Sequence, residues 1–312
     1  MKNGITVGMP AFNARKTLER AIDSALSQTI KLPVEIIIVD DGSSDTTANI
    51  ARSYELMYPD RVRLLRTPNG GVAAARNLVV ANANYDYLTW LDADDYYEPH
   101  KLQVQYDELL TWHMINKTYP GDSYLMVFSP VMIDKKLYNF ADYFANPIKN
   151  ILTGEFRAYL WASMTATASY REIGQFNEAL HRSEDTDWLL RYLLAEKRLL
   201  ISTPPDLPVM QYHFSTQRNG RLVEESFDYM RETYGAQMRE LGIFDEYVPR
   251  RYWEISNFYH SNKSWNDMWR CRALAVKHGP EAFSARLSQE IASLKDSQQR
   301  KRIEQLVASY VA

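Results

Sequence analysis

A buried strand that ends in acid is the feature that most restricts the fold of this chain. Residues 88–91, Leu-Thr-Trp-Leu, form a short apolar run, and Asp92, Asp94 and Asp95 follow it directly. A short apolar run with such a boundary is typical of a strand buried inside a sheet. Ligands of open α/β sheets bind beyond the carboxyl ends of the strands, which is where these carboxylates would lie.

The carboxylates of Asp92 and Asp94 would offer hard oxygen ligands close to one point in space. This arrangement suits Mg²⁺ or Mn²⁺ that holds phosphate groups. The simpler alternative is an acidic turn or a helix cap after an ordinary strand. This stretch by itself favours neither interpretation over the other, so the rest of the chain has to decide between them.

The residues on either side alternate between strand and helix patterns, which indicates an α/β fold. The run Val34–Val39 is almost entirely apolar, as expected of a parallel strand buried on both faces. Residues 5–9 predict an earlier strand that Pro10 stops, and the apolar spacing from Leu18 to Leu26 predicts the helix between the two strands. Later strand patterns occur at 61–65, 124–131, 165–169, 199–203 and 209–214. Later helix patterns occur at 72–83 and 99–116, and a further helix is predicted to begin after Ser183 as its cap. The segment 134–150 is irregular.

The composition narrows the classes of function. A net charge of −3 argues against a large basic surface for nucleic acid, although a nucleotide needs only a few donors. The single cysteine, Cys271, excludes an intrachain disulfide and fits a reducing compartment, so we predict a cytoplasmic protein. Residues 1–5 lack the apolar segment of a signal peptide, and no run of about 18 apolar residues predicts a transmembrane helix.

The pattern changes near residue 216, which predicts two domains, residues 1–215 and a helical region of residues 216–312. The second domain is rich in aromatic residues, with arginine and lysine interspersed. A small helical core is the simplest interpretation. The alternatives are a wall of an acceptor site, a contact in a homo-oligomer, and docking at the inner face of a membrane as a peripheral contact. The aromatic residues are Tyr252, Trp253, Phe258, Tyr259, Trp265 and Trp269.

Five short motifs follow one another between about residues 5 and 215. They are Met9-Pro10-Ala11-Phe12-Asn13, Asp40-Asp41-Gly42-Ser43 with Asp45, Asn69-Gly70-Gly71 with Ala75-Arg76-Asn77, Leu91-Asp92-Ala93-Asp94-Asp95, and Glu184-Asp185. In this order they resemble the motifs of the inverting nucleotide-sugar glycosyltransferases of family 2. The resemblance implies the GT-A fold, a Rossmann-like α/β architecture with a mostly parallel central sheet flanked by helices. It does not cover the last hundred or so residues.

The resemblance implies a nucleotide-sugar site formed by the first four motifs. Phe12 would stack on the base, Asp40 would accept a hydrogen bond from uracil N3–H, and Asp92 would bind the ribose. Arg76 would pair with the base edge or the diphosphate through its fork of donors. The alternatives are a core position for the phenylalanine, a turn or helix cap for Asp40 and Asp41, and a surface position for the arginine. The predicted site comprises Pro10, Ala11, Phe12, Asn13, Asp40, Gly70, Gly71, Arg76, Asp92 and Ala93.

A metal ion is the cofactor that the resemblance implies. Asp94 would bind Mn²⁺ or Mg²⁺, which bridges the diphosphate and neutralises the charge that develops as UDP leaves. His213 is the candidate for a further ligand, because family members often place a histidine in this region. Gln211 stands where the family often has arginine, and a structural histidine is the alternative.

Glu184 and Asp185 are the candidates for the catalytic step. An inverting transfer needs a carboxylate that takes the proton of the attacking acceptor hydroxyl. We predict Asp185 as this base and Glu184 as a contact to the acceptor or donor sugar, whereas two acids that stabilise a helix N-terminus are the alternative. Trp188, one helical turn beyond Glu184, is a candidate for the acceptor pocket, with core packing as its alternative.

The predicted function is metal-dependent, inverting transfer of a sugar from a UDP-sugar to a hydroxyl of a glycan or glycoconjugate acceptor. It would serve the biosynthesis of a polysaccharide, a lipid-linked glycan or a glycoconjugate. The alternatives are a nucleotide-binding or scaffolding module without catalysis and a transferase that uses a GDP- or dTDP-sugar. Residues 10–16 lack the glycines of a phosphate-binding loop, which disfavours a sugar nucleotidyltransferase.

Overall fold

The computed structural model describes residues 2–118, 122–157, 159–212 and 220–311. The chain forms two compact units, Met1–Phe214 and Ser215–Ala312. The first unit combines strands and helices, and the second is helical. This confirms the predicted α/β class with a C-terminal helical region.

The first unit alternates strands and helices along the chain. Its strands are β1 (Lys2–Ala11), β2 (Val34–Asp41), β3 (Val62–Thr67), β4 (Tyr85–Trp90), β5 (Tyr96–Tyr97), β6 (Leu125–Phe128), β7 (Val131–Ile133), β8 (Lys136–Tyr138), β9 (Ser163–Ala166), β10 (Arg198–Ile201) and β11 (Met210–Tyr212). Its helices are α1 (Leu18–Leu26), α2 (Thr47–Met57), α3 (Gly71–Asn82), α4 (Lys101–Asn116), α5 (Pro147–Leu152), α6 (Thr167–Ile173) and α7 (Glu184–Leu194), with 3₁₀ turns at Ala141–Tyr143 and Leu160–Ala162.

A seven-stranded sheet with the order β10-β6-β9-β4-β1-β2-β3 forms the centre of this unit. All neighbours pair in parallel except β9, which runs antiparallel to β4 and β6. Every residue of β2 is buried, as the apolar run of its sequence predicts. A second sheet, β5-β11-β7-β8, begins just after the acidic stretch that follows β4. The parallel strands therefore bring the ends of β1, β2, β3 and β4 to one edge.

Pro10 does not stop the first strand, contrary to the prediction. The strand continues to Ala11, and Pro10 pairs with Val39 of β2. The carbonyl of Gly8 accepts a hydrogen bond from Leu91 on the β4 side. The nitrogen of Pro10, two residues later, points to the same side, where an N–H would reach the carbonyl of Leu91 and extend the ladder by one bond. Proline lacks this N–H, so the β1–β4 ladder ends here, whereas the pairing with β2 continues to Ala11.

The segment 134–150 is more regular than its sequence predicts. It contains β8, a 3₁₀ turn and the start of α5. Its sequence has no helix or strand periodicity, and aromatic packing orders it instead. The ring centres of Phe140 and Phe144 lie 5.3 and 5.8 Å from that of Phe128.

The second unit consists of α8 (Gly220–Glu240), α9 (Phe244–Ser261), α10 (Trp265–His278), α11 (Pro280–Ala292) and α12 (Ser297–Val311). Most of its aromatic side chains are buried inside the unit, among them Tyr252, Trp253, Tyr259 and Trp269, whereas Trp265 is half exposed. This burial favours the predicted helical core over a continuous aromatic docking surface. Among the described residues, no helix is both long enough and apolar enough to span a membrane.

Candidate active site

The ends of three neighbouring strands form one wall of the candidate site. Ala11 of β1 lies opposite Asp40 of β2, and Asp40 lies opposite Arg66 of β3. Residues in register point to the same face of a sheet, so these three side chains form a row. Asp40 is completely buried, and its Oδ2 accepts a hydrogen bond from Nε of Arg66 at 3.0 Å. Its Oδ1 accepts one from the backbone N–H of Ser43 at 3.3 Å.

The loop that carries Phe12 is held by its neighbour, the loop after β2. The backbone N–H of Asn13 donates to Oγ of Ser43 at 2.9 Å, and Oδ1 of Asn13 accepts from the N–H of Ser44 at 2.9 Å. Phe12 nevertheless keeps 52% of its surface exposed, so the core alternative does not fit this ring. An exposed aromatic ring on an anchored loop is suited to stacking on a planar ligand.

Asp41 organises the glycine turn that the third motif contains. Its two carboxylate oxygens accept hydrogen bonds from the N–H groups of Gly70 and Gly71, at 2.8 and 2.9 Å. These amides lie at the start of α3, so Asp41 acts as the cap of that helix. Gly71 has a φ of +86°, which favours glycine at this position. The cap alternative therefore describes Asp41, but on α3 and not on the helix that directly follows it.

The acidic stretch after β4 forms a turn in which the N–H of Asp95 donates to the carbonyl of Asp92 at 3.0 Å. Ala93 and Asp95 are buried, whereas Asp94 is exposed. The backbone carbonyl of Asp94 accepts a hydrogen bond from Nη2 of Arg20 at 2.9 Å. The Asp94 carboxylate takes part in no hydrogen bond or ion pair with the residues that the structure describes. It is therefore the carboxylate of this turn that is available to a ligand.

Arg76 lies between two carboxylates that are far apart in the sequence. Its Nη1 donates to Oε1 of Glu184, and its Nη2 lies 3.5 Å from Oδ1 of Asp92. The side chain is buried, with its guanidinium 5.7 Å from the ring centres of Trp90 and Phe176, so the surface alternative is wrong. Arg76 thus joins α3, the tip of β4 and the start of α7 into one charged cluster.

Glu184 and Asp185 begin α7 and play different structural parts. Glu184 is buried against Arg76, whereas Asp185 is partly exposed. Oδ1 of Asp185 accepts hydrogen bonds from the N–H and Oγ1 of Thr186, at 2.7 and 3.2 Å. Its Oδ2 accepts none from the described part of the chain. Ser183 does not cap the helix through its side chain as predicted, because its backbone has a φ of +64° and its hydroxyl makes no capping bond.

Burial shifts the pKa values of the carboxyl groups in this cluster. Loss of contact with water raises the pKa of Asp92, and the charges of Asp94 and Asp185 add to this effect against the attraction of Arg76. Burial also raises the pKa of Glu184 from 4.5 to about 7, with Arg76 opposing the shift and Asp185 reinforcing it. The cluster therefore holds more negative charge than one arginine balances.

This shift gives Glu184 a measurable effect on stability. Between pH 4.5 and about 7, folded Glu184 keeps a proton that the unfolded chain has released, so its contribution to the free energy of unfolding falls as pH rises. The free energy of unfolding, measured with denaturant at about pH 5 and about pH 7.5, should fall more between these two pH values for the wild type than for Glu184→Gln. Equal losses in the two proteins would mean that Glu184 is ionised over the whole range.

The remaining predicted site residues differ in where they lie. Gly70 and Gly71 are at the start of α3, next to Asp41. Trp188 is completely buried, stacks on Tyr170 with ring centres 4.3 Å apart, and donates from Nε1 to the carbonyl of Gly174. A completely buried ring offers no surface to an acceptor, which favours the packing alternative. His213 lies outside the described residues.

The carboxylates at the tip of β4 fit a divalent cation that is bound together with phosphate. Within the described ranges no group of three or more histidine, cysteine, aspartate or glutamate side chains is arranged to hold a metal by itself. Mg²⁺ and similar ions in phosphate sites commonly take only one or two carboxylates and complete their shell with phosphate oxygens and water. Asp94, which is exposed and whose carboxylate has no partner among the described residues, and the partly exposed Asp92 provide such a partial set.

Comparisons with known proteins identify relatives of this chain. Residues 6–117 match the family described as Glycosyl transferase family 2. An uncharacterized glycosyltransferase of Rickettsia typhi is 29% identical over 199 residues, which cover 61% of this chain and 58% of that protein. Chondroitin synthase of Pasteurella multocida is 38% identical over 106 residues, 34% of this chain and 11% of the synthase. The matches thus span from about a tenth to three fifths of these relatives.

A solved structure resembles the fold of this chain. The crystal structure of S. aureus TarS 1-349 in complex with UDP-GlcNAc superimposes with a TM-score of 0.61. The similarity covers 100% of this chain and 88% of that one, at 17% sequence identity. At this identity the likeness establishes the shared fold, and it agrees with the predicted GT-A architecture.

Proposed function

We propose that this chain, which belongs to glycosyl transferase family 2 through residues 6–117, transfers a sugar from a UDP-sugar to a hydroxyl group of a glycan or glycoconjugate acceptor. The product would be part of a polysaccharide or a related glycoconjugate. The name of the Pasteurella relative, a chondroitin synthase, supports a polysaccharide as the class of product. The complex of TarS with UDP-GlcNAc supports a UDP-sugar as the donor.

One observation carries this proposal. The acidic pair at the start of α7 reaches the tip of β4 through Arg76, although Arg76 and Glu184 are 108 residues apart in the sequence. Asp185, whose Oδ2 accepts no hydrogen bond from the described residues, thereby belongs to the same cluster as the carboxylates that suit a metal-bound diphosphate. A transferase needs both groups at one place, whereas a nucleotide-binding module would need only the second.

In the proposed reaction, Asp185 holds the acceptor hydroxyl by a hydrogen bond and takes its proton. The acceptor oxygen attacks the anomeric carbon of the donor sugar, the bond from that carbon to the UDP oxygen breaks, and UDP leaves from the opposite face. The configuration at the anomeric carbon is therefore inverted. Mn²⁺ or Mg²⁺, when bound at Asp94, would supply charge neutralisation for the leaving diphosphate.

The other residues of the site would bind and orient the substrates. The exposed ring of Phe12 would stack on the base, and Asp40 would accept the uracil N3–H. Asp92, held by Arg76, would bind the ribose. Arg76 is committed to Glu184 and Asp92, so we propose that it orders the carboxylates around the donor and that Glu184 holds Arg76 in place.

Release of UDP from a panel of UDP-sugars tests this function. The purified chain would be incubated with Mn²⁺ and, in turn, UDP-glucose, UDP-galactose, UDP-GlcNAc and UDP-GalNAc, with and without oligosaccharide acceptors. Metal-dependent release of UDP that rises with an acceptor is the expected result. If the nucleotide were released only from GDP- or dTDP-sugars, the donor would belong to that class and not to the UDP-sugars. Binding of a UDP-sugar without any turnover would favour the scaffolding alternative.

A further inference from the structure

Arg66 stands beside the carboxylate that is proposed to read the base, and no sequence motif points to it. We propose that Arg66 is a specificity-determining residue that recognises uracil together with Asp40. Asp40 would accept the N3–H of the base, and the guanidinium of Arg66 would donate to an adjacent carbonyl oxygen. This inference rests on the proposed use of a uridine nucleotide and adds to it the residue that would select the base.

The position of Arg66 follows from the register of the sheet. Ala11, Asp40 and Arg66 lie opposite one another on β1, β2 and β3, with neighbouring strands about 4.8 Å apart. Ala11 and Asp40 are both buried, and the residue after Ala11 is the exposed Phe12. A pyrimidine ring that stacks at the end of β1 would meet Asp40 one strand away and Arg66 two strands away.

The two side chains retain hydrogen-bonding capacity for a ligand. A carboxylate has about four acceptor positions, and within the described residues those of Asp40 take two hydrogen bonds, from Ser43 and Arg66. An arginine has five N–H donors, and in the same part of the chain Arg66 donates only its Nε–H, to Asp40. The Arg66 side chain is 59% exposed while Asp40 is fully buried. The remaining donors of Arg66 therefore lie at the surface, next to a covered carboxylate that the base would have to uncover in order to bind.

A fixed acceptor beside a fixed donor discriminates between bases. Uracil presents an N3–H donor with a carbonyl oxygen on each side of it. Cytosine in the same pose presents an unprotonated N3 to Asp40 and its 4-amino group in place of one carbonyl. If Arg66 donates to the carbonyl oxygen at C4 of uracil, both contacts would then place like groups against each other, which costs more than the loss of the hydrogen bonds alone.

Arg66 also has a simpler structural part to play, because it balances the charge of the buried Asp40 carboxylate. The two roles differ in what they do to base preference. A residue that only balances charge would affect stability, and it would change the binding of UDP and CDP to the same extent. A residue that contacts the base would change the ratio of the two affinities.

Calorimetric titration of UDP and CDP in the presence of Mn²⁺ separates these roles. The wild type should bind UDP at least about tenfold more tightly than CDP, and Arg66→Ala should lose about tenfold in UDP affinity without any loss of CDP affinity. Arg66→Lys keeps a positive charge beside Asp40 but lacks the planar guanidinium, so it should also lower the ratio of UDP affinity to CDP affinity. Arg52→Ala, which removes an exposed arginine paired with Glu55, is the matched control and should change neither affinity.

An unchanged ratio of UDP to CDP affinity in both Arg66 variants would overturn this inference, even if both affinities fall. Because Arg66→Lys retains the charge, it also provides the answer if Arg66→Ala does not fold. A wild-type protein that binds neither nucleotide would instead overturn the uridine donor itself. Failure of the inference and failure of the proposed function therefore give different results.

Discussion

Replacement of Asp185 by asparagine is expected to lower the rate of sugar transfer by about 10²- to 10⁴-fold, the usual contribution of a general base. Asparagine has the same shape and can still accept the hydrogen bonds that Thr186 donates to Oδ1. It cannot take a proton from the acceptor hydroxyl. UDP binding and the unfolding temperature should therefore remain close to those of the wild type, and kcat should carry the loss in a steady-state assay.

Asp60→Asn is a matched control for this substitution. Asp60 is exposed and precedes β3, at the edge of the sheet opposite to the acidic tip, so its replacement should leave kcat unchanged. If Asp185→Asn retained more than about a tenth of the wild-type kcat, Asp185 would not be the base. In that case the helix N-terminus alternative would describe Asp185.

Replacement of Arg76 by alanine is expected to lower the free energy of unfolding by about 3 kcal/mol, at the low end of the range for breaking a buried ion pair. The substitution leaves the buried Glu184 carboxylate without its partner. Glu184 can take up a proton, since its pKa is about 7 even with Arg76 present, and this limits the loss. Denaturant unfolding near neutral pH measures the effect, which should be smaller near pH 5, where Glu184 is already protonated.

A double variant, Arg76→Met with Glu184→Leu, separates stability from function. Apolar side chains of similar size can replace a buried ion pair with little loss of stability, so the double variant should recover most of what Arg76→Ala loses. It should remain inactive, because nothing then orders Asp92. Loss of an exposed pair, as in Arg52→Ala, should cost less than about 1 kcal/mol. An Arg76→Ala protein as stable as this control would contradict the importance of the cluster.

The central sheet could be predicted because its strands have strong local signals. The runs 34–39 and 88–91 are mostly apolar and have clear boundaries; the first lies within β2 and the second covers the end of β4. The errors arise where the neighbours of a residue decide its structure. Pro10 continues a strand because its nitrogen faces β4 and not β2, so the pairing with β2 is kept. The segment after residue 134 is ordered by aromatic contacts without periodicity. Sequence patterns carry no information on such contacts.

The site could be predicted only in part, for the same reason. The motifs mark which strand ends carry polar residues, and the parallel sheet places those ends at one edge. Partnerships across the sheet are set by register, which the sequence does not reveal. Arg66 is therefore seen only when its strand is placed opposite Asp40, and the pairing of Arg76 with Glu184 only when α7 is placed beside α3.

Titration of UDP into the wild type and Asp94→Asn, with and without Mn²⁺, tests the central claim most directly. The proposed site requires that Mn²⁺ strengthens UDP binding to the wild type and that Asp94→Asn removes most of this gain. The affinity for UDP without metal should be similar in the two proteins, because Asp94 makes no contact within the described residues that its replacement would break. An affinity for UDP that changes neither with Mn²⁺ nor with Asp94→Asn would contradict a metal-assisted transfer at this site.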